Sequence, residues 1–94
     1  MSIAGPSIAT RTSVTSAQSD TSLLDADGER VAAMIFNNSS AILYVGFGTT
    51  AVSPTDHSVQ IAAGGYLTVP AAFVGCAIRG YWAAANGSAR ITVG

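Results

Sequence analysis

The chain has 94 residues, of which four are Arg, five are Asp or Glu and none is Lys. A chain of this length forms one domain, and its charged fraction of 10% compares with about a quarter in typical globular proteins. The net charge of −1 and the scattered arginines exclude the basic patch that direct nucleic-acid binding requires, and the lone cysteine, Cys76, excludes an intrachain disulfide and a cysteine-ligated metal site.

Residues 1–22 differ from the remainder because they are rich in Ser and Thr and hold few large apolar side chains. Such a segment buries too little surface to fold alone. We therefore expect an extended N-terminal arm or an edge strand, with Ile3 and Ile8 anchoring it on a partner subunit; a frayed terminus is the alternative. The start lacks the basic and apolar parts of a signal peptide, and no run approaches 18 apolar residues, so we predict neither secretion nor a membrane span.

Residues 23–94 alternate short apolar segments with turn signals, which predicts a β-sandwich domain. Asp27-Gly28 and Asn86-Gly87 are typical of tight hairpin turns in which glycine takes a positive φ. Strands are predicted at 30–36, 42–47, 58–61, 66–69, 74–82 and 89–93. Six to seven short strands, with an extended N-terminal arm, indicate an all-β fold, a small antiparallel β-sandwich or barrel.

The strand at 30–36 is apolar on both faces, which indicates that both faces are covered. Open sheet edges are normally protected by Lys and other charges, since unpaired N–H and C=O groups invite another chain to dock. This chain has no Lys. We therefore predict that neighbouring copies or other proteins cover its edges and faces, and that it is a homo-oligomer within a larger assembly.

Residues that could carry chemistry are few. Asp25, Asp27 and Glu29 do not match the spacing of an EF-hand calcium loop. His57 lies in a polar loop and Cys76 on a predicted core face, so nothing brings them together as a catalytic dyad. The chain has no Gly-x-Ser-x-Gly nucleophile elbow and no complete phosphate-binding loop. We predict no enzymatic activity, no cofactor and no metal site.

Four aromatic residues leave a binding role open. A sugar-stacking platform would need several of them to face outward together, and the alternative is that they fill the core or a subunit contact. The four residues are Tyr44, Tyr66, Tyr81 and Trp82.

Four segments give the chain a resemblance to small virion structural proteins of tailed bacteriophages, over roughly residues 13–93. They are RVAAMIFNNSS (30–40), LYVGFG (43–48), VQIAAGGYLTVP (59–70) and GCAIRGYWAAANGSARITV (75–93). The resemblance lies in the order of strands and turns and not in a catalytic signature. It implies a β-sandwich that serves as a capsid decoration (cement) protein or as a module of a head or tail fibre, assembled as a trimer or on a symmetric shell.

The resulting hypothesis is a noncatalytic capsid decoration protein that binds across major capsid subunits and stabilises the head. It would be made in the host cytoplasm and reside on the capsid surface of the virion, most simply as a homotrimer. The alternatives are a carbohydrate-binding fibre module and a head-to-tail connector or neck component. The predicted partner-binding residues are Ile3, Ile8, Arg11, Arg79 and Tyr81.

Overall fold

The computed structural model describes residues 9–94. These residues form eight strands and one short 3-10 helix, Ala71–Phe73. The strands are β1 (Thr10–Thr15), β2 (Thr21–Leu24), β3 (Ala33–Asn38), β4 (Leu43–Phe47), β5 (Val59–Ile61), β6 (Tyr66–Thr68), β7 (Ile78–Trp82) and β8 (Ser88–Val93). They build two four-stranded antiparallel sheets, a first sheet in the order β1-β8-β3-β6 and a second sheet in the order β2-β7-β4-β5.

The topology is that of one long antiparallel hairpin rolled onto itself. Strand β1 pairs with β8, β2 with β7, β3 with β6 and β4 with β5. Rolling this hairpin adds the pairs β3 with β8 and β4 with β7. Eight strands in two sheets with this order are the double-sheet jelly roll. The all-β antiparallel sandwich is thus confirmed, whereas the count of six to seven strands is wrong and the sheets do not close into a barrel.

The core lies between the inner faces of the two sheets. Alternate residues point inward along each strand, as the pleat requires, and Trp82 of β7 is the largest side chain that is fully buried. The buried apolar cluster consists of Leu23, Ala33, Ile35, Leu43, Val45, Ile61, Val69, Ile78, Trp82, Ala89 and Ile91.

The first two strands account for the difference in strand count. Strand β1 is an edge of the first sheet and β2 an edge of the second, and the predicted boundary at residue 22 falls within β2. Strand β1 has no apolar periodicity, because Val14 is its only large apolar residue. Hydrogen bonding to β8 places it in the sheet. Ile3 and Ile8 lie outside the described residues.

Both predicted hairpin turns are wrong in type. Among residues 9–94 the only positive φ values are those of Gly48 and Gly64, so neither Gly28 nor Gly87 adopts the conformation that a type I′ turn needs. The reason is topological: each of these turns joins strands of different sheets, and a tight hairpin joins neighbours in one sheet.

The strand predicted at 74–82 is shorter than expected, since β7 begins at Ile78. Cys76 lies in the preceding loop and is half-buried, so its placement on a core face of the strand is also wrong. Arg30, which precedes β3, donates hydrogen bonds to the carbonyls of Val74 (2.7 Å) and Cys76 (2.8 Å). These bonds satisfy the two loop carbonyls, which would have paired with a neighbouring strand if the predicted strand had begun at residue 74.

Candidate interaction surfaces

The outer face of the first sheet carries apolar side chains beside basic ones. Strand register places the outward residues in two adjacent rows across β1, β8, β3 and β6. We name them the apolar–basic face: Arg11, Thr92, Met34 and Thr68 in one row, and Ser13, Arg90, Phe36 and Tyr66 in the next. Met34 is 39% exposed and Tyr66 is 68% exposed. Large apolar side chains therefore remain in contact with solvent on this face of the single chain.

The charge on the apolar–basic face has one sign. Arg11 and Arg90 are both exposed, and neither makes a salt bridge or a side-chain hydrogen bond with any residue from 9 to 94. None of the eight residues of the face is acidic. Two uncompensated guanidinium groups next to apolar side chains suit a partner that presents carboxylates beside apolar side chains.

A groove of about 590 Å³ lies at the end of the first sheet where β1 begins and β8 ends. No charged side chain lines it. Ala9, Ala32 and Gly94 contribute small residues, and Val31, which is 64% exposed, contributes a large apolar one. We name this feature the end groove; its lining residues are Ala9, Val31, Ala32, Ala33, Met34, Thr68, Val69, Pro70, Ala71, Thr92, Val93 and Gly94.

The outer face of the second sheet is aromatic and polar. Tyr44 and Tyr81 are opposite each other on β4 and β7, with ring centroids 6.4 Å apart in an edge-on arrangement. The His57 ring lies 4.8 Å from that of Tyr44. His57 Nδ1 is 3.1 Å from the carbonyl oxygen of Ser53, and His57 Nε2 is 3.4 Å from the side-chain amide of Gln60. Because a carbonyl oxygen can only accept, this geometry suits the tautomer with the proton on Nδ1, in which Nε2 accepts from Gln60. We name Tyr44, His57, Gln60 and Tyr81 the aromatic–polar face.

One salt bridge borders the aromatic–polar face. Arg79 Nη2 lies 2.8 Å from Asp20 Oδ2, and Arg79 Nε donates to the same carboxylate. The backbone N–H of Val52 also donates to Asp20, at 3.0 Å. Hydrogen bonding from Arg79, and then from Val52, lowers the pKa of Asp20 below its usual value, and the same bond to Asp20 raises the pKa of Arg79. Asp20 thereby ties the β1–β2 connection to the loop after β4 and to β7.

The predicted partner-binding residues are divided between the two outer faces. Arg11 belongs to the apolar–basic face, whereas Arg79 and Tyr81 are on the second sheet. A single flat contact cannot include all three. Val31, Met34 and Arg90 are not among the predicted partner-binding residues, and Tyr66 is predicted only as part of a possible sugar-stacking platform. The two-sided apolar pattern of residues 30–36 is the signal that indicates an outer apolar face.

The residues considered for chemistry do not converge. Within residues 9–94 no group of three or more His, Cys, Asp or Glu side chains is placed to hold a metal ion. The side-chain contacts of His57 are with Ser53, Gln60 and Tyr44, and none is with Cys76. Of the four aromatic residues, Tyr44 and Tyr81 share one face, Tyr66 is on the opposite sheet and Trp82 is buried.

Comparison with known proteins adds no assignment. No protein-family model matches the chain, and neither a curated protein nor a solved structure matches it significantly. In the described part of the chain, no helix has the length and apolar character needed to cross a membrane.

Proposed function

We propose that the chain is a noncatalytic structural protein of a phage virion, a decoration protein that binds across major capsid subunits through its apolar–basic face. The observation that carries the proposal is the composition of this face: Met34 and Tyr66 are exposed on the same face as Arg11 and Arg90, which make no salt bridge with any residue from 9 to 94. Burial of exposed apolar side chains drives association, and charge complementarity fixes the orientation of the partner.

The fold is compatible with this role but does not select it. Double-sheet jelly rolls occur in viral capsid domains, in lectins and in cupins, and a fold of this kind hosts unrelated functions. The support from the fold is therefore an analogy. It agrees with the resemblance of the sequence to small virion proteins, which rests on the order of strands and turns.

Attachment at many equivalent positions would stabilise a shell through modest individual contacts. Each bound copy adds buried surface across a joint between capsid subunits, so separating those subunits under internal DNA pressure requires more work. A homotrimer holds three apolar–basic faces together, and multivalent attachment raises the overall affinity well above that of one face.

The test is sedimentation of the purified chain with shells of the major capsid protein prepared without it. We expect saturable binding at many sites per shell. Arg11→Ser with Arg90→Ser, and separately Tyr66→Ser, should each weaken the Kd at least tenfold, which corresponds to a loss of about 1.4 kcal/mol or more. Tyr81→Ser, on the opposite sheet, is the control and should bind normally. Unchanged binding by both face variants would contradict the proposal, and occupancy at a single vertex would indicate a neck component.

A carbohydrate-binding fibre module is the second candidate. The aromatic–polar face favours it, because Tyr44 and Tyr81 lie side by side with the amide of Gln60 and the imidazole of His57 next to them. Aromatic rings and planar polar groups together suit sugar recognition. A glycan array would decide: binding that Tyr81→Ala abolishes supports this candidate, and an array without hits removes it.

A further inference from the structure

We infer that the end groove is the docking site for residues 1–8 of a second copy of this chain, and that such exchange links neighbouring copies. The inference deepens the proposed function and rests on it for its meaning, since it supplies the contact that holds the decoration oligomer together. Its test needs only the purified chain. Docking of residues 1–8 can therefore be disproved while attachment to the shell is confirmed, and attachment can be disproved while docking is confirmed.

The chemistry of the groove matches that of the segment. The twelve lining residues include no charged side chain and are mainly Ala, Val, Pro and Met. Residues 1–8 also contain no charged side chain, and their large apolar residues are Met1, Ile3 and Ile8. A segment with spaced apolar side chains is suited to a groove lined by apolar side chains, because their contact removes apolar surface from water and no charged side chain loses its solvation.

The start of the described chain lies at this groove. Ala9 is one of the lining residues, and Thr10, which begins β1, pairs with Val93 at the end of β8. Eight residues reach about 26–29 Å when extended. Three strand spacings, from β1 to β6, amount to about 14 Å. The segment is therefore long enough to extend past its own sheet and to lie along the groove of an adjacent copy.

The order of residues favours a neighbour's groove over the chain's own. To enter its own groove, the chain must turn sharply across the strand ends at Ile8 or Ala9. Neither is a residue type that tight turns prefer, and Ile is β-branched. The turn-forming pair is Gly5-Pro6. Three residues, 7–9, separate this pair from β1, and three residues of extended chain span about 10 Å.

This arrangement also provides symmetric closure. If each copy places residues 1–8 in the groove of the next, the contact is heterologous, and it closes into a ring when the rotation between copies permits. A ring of three is the closed form that agrees with the predicted homotrimer. In such a ring Val31 and Met34, which borders both surfaces, are covered at the groove, while Arg11, Arg90 and Tyr66 remain available to the shell.

Disulfide trapping tests the inference directly. All variants carry Cys76→Ser, because Cys76 is half-exposed and would compete. One full-length chain carries Ile3→Cys and another carries Val31→Cys, a position whose exposure spares the core. The two are mixed at about 10 µM and mildly oxidised. We expect mixed dimers to form about a hundredfold faster than with a control chain carrying Gln60→Cys, because docking presents the thiol at millimolar effective concentration.

Two results would overturn the inference. Mixed dimers that form no faster than with Gln60→Cys would show that the segment does not dock in the groove. A double variant with Ile3→Cys and Val31→Cys that forms only an internal disulfide, at a rate independent of concentration, would show that the chain fills its own groove. Light scattering gives a second measurement: Ile3→Ser should lower the molar mass of the oligomer towards 9.4 kDa while leaving the unfolding transition in place.

Discussion

Trp82 Nε1 donates a hydrogen bond to Asn37 Oδ1 at 3.2 Å, and both side chains are fully buried. The bond joins β7 of the second sheet to β3 of the first. The amide of Asn37 also donates to the carbonyls of Ala41 (2.7 Å) and Ile61 (3.0 Å). Asn37 is therefore a buried polar link between the sheets, and its side-chain oxygen satisfies the buried Trp82 N–H.

Removal of this link should destabilise the fold strongly. Asn37→Ala removes the partner of the buried Trp82 N–H and one donor to the carbonyl of Ile61, whereas the carbonyl of Ala41 keeps the Ser39 hydroxyl at 3.0 Å. Each buried group left without a partner costs about 1–3 kcal/mol. We expect the free energy of unfolding, measured with urea, to fall by about 3 kcal/mol or more. Asn38→Ala, at the exposed neighbouring position, is the control and should change stability little. A loss for Asn37→Ala no larger than that of the control would show that the link is not needed.

Replacement of Arg30 by lysine should destabilise the fold, although the positive charge is retained. Its guanidinium is buried and donates to three carbonyls, those of Asp25, Val74 and Cys76. A lysine ammonium is a point donor and cannot reproduce this planar fork. We expect Arg30→Lys to lower the free energy of unfolding by about 2 kcal/mol, and Arg90→Lys, at an exposed position, to leave it nearly unchanged. Equal stability of the two variants in thermal unfolding would contradict this role.

Part of the first sheet could be predicted from alternation, and the remainder depends on tertiary pairing. Because residues 30–36 are apolar on both faces, alternation does not select the inward residues of β3; the inward set of β8, which includes Ile91, follows from the period of two. The position of β1 could not be predicted in this way, because Thr10 and Thr12 carry no apolar signal and are placed by pairing with β8.

The candidate surface could be predicted only in part from the sequence. The pattern at 30–36 indicated a covered outer face, but only the strand register shows that Phe36 lies between Arg90 and Tyr66.

Gly87 is a single residue whose role depends on a tertiary contact that the sequence does not show. The Asn-Gly pair predicts a positive φ, yet glycine is required here for space, since a Cβ would overlap the carbonyl oxygen of Asn38 and contact Ser39. We expect Gly87→Ala to lower the free energy of unfolding by about 1–3 kcal/mol. Gly28→Ala is the matched control: it has open space and no positive φ, so it should be neutral or slightly stabilising. Equal effects of the two substitutions in urea unfolding would disprove the packing explanation.

The Asp20–Arg79 bridge should give the stability a dependence on acid pH. The folded chain holds the pKa of Asp20 below its unfolded value, so the ionised form contributes stability that is fully present above the unfolded pKa of about 3.9. This contribution is lost as pH falls through the folded pKa. We expect Asp20→Asn to reduce stability at pH 7 and to differ less from the parent at pH 2.

The measurement for the bridge is the midpoint of urea unfolding as a function of pH. The control is Glu29→Gln, which removes an exposed carboxylate without a salt bridge to any residue from 9 to 94. A difference between Asp20→Asn and the parent that stays constant from pH 7 to pH 2 would mean that ionisation of Asp20 does not stabilise the fold.

Sedimentation equilibrium of the full chain at micromolar concentration shows whether companions cover the surfaces that the single chain leaves apolar. We expect a particle whose mass is a multiple of 9.4 kDa, three copies in its simplest form. A single 9.4 kDa species at every concentration up to the solubility limit would contradict it.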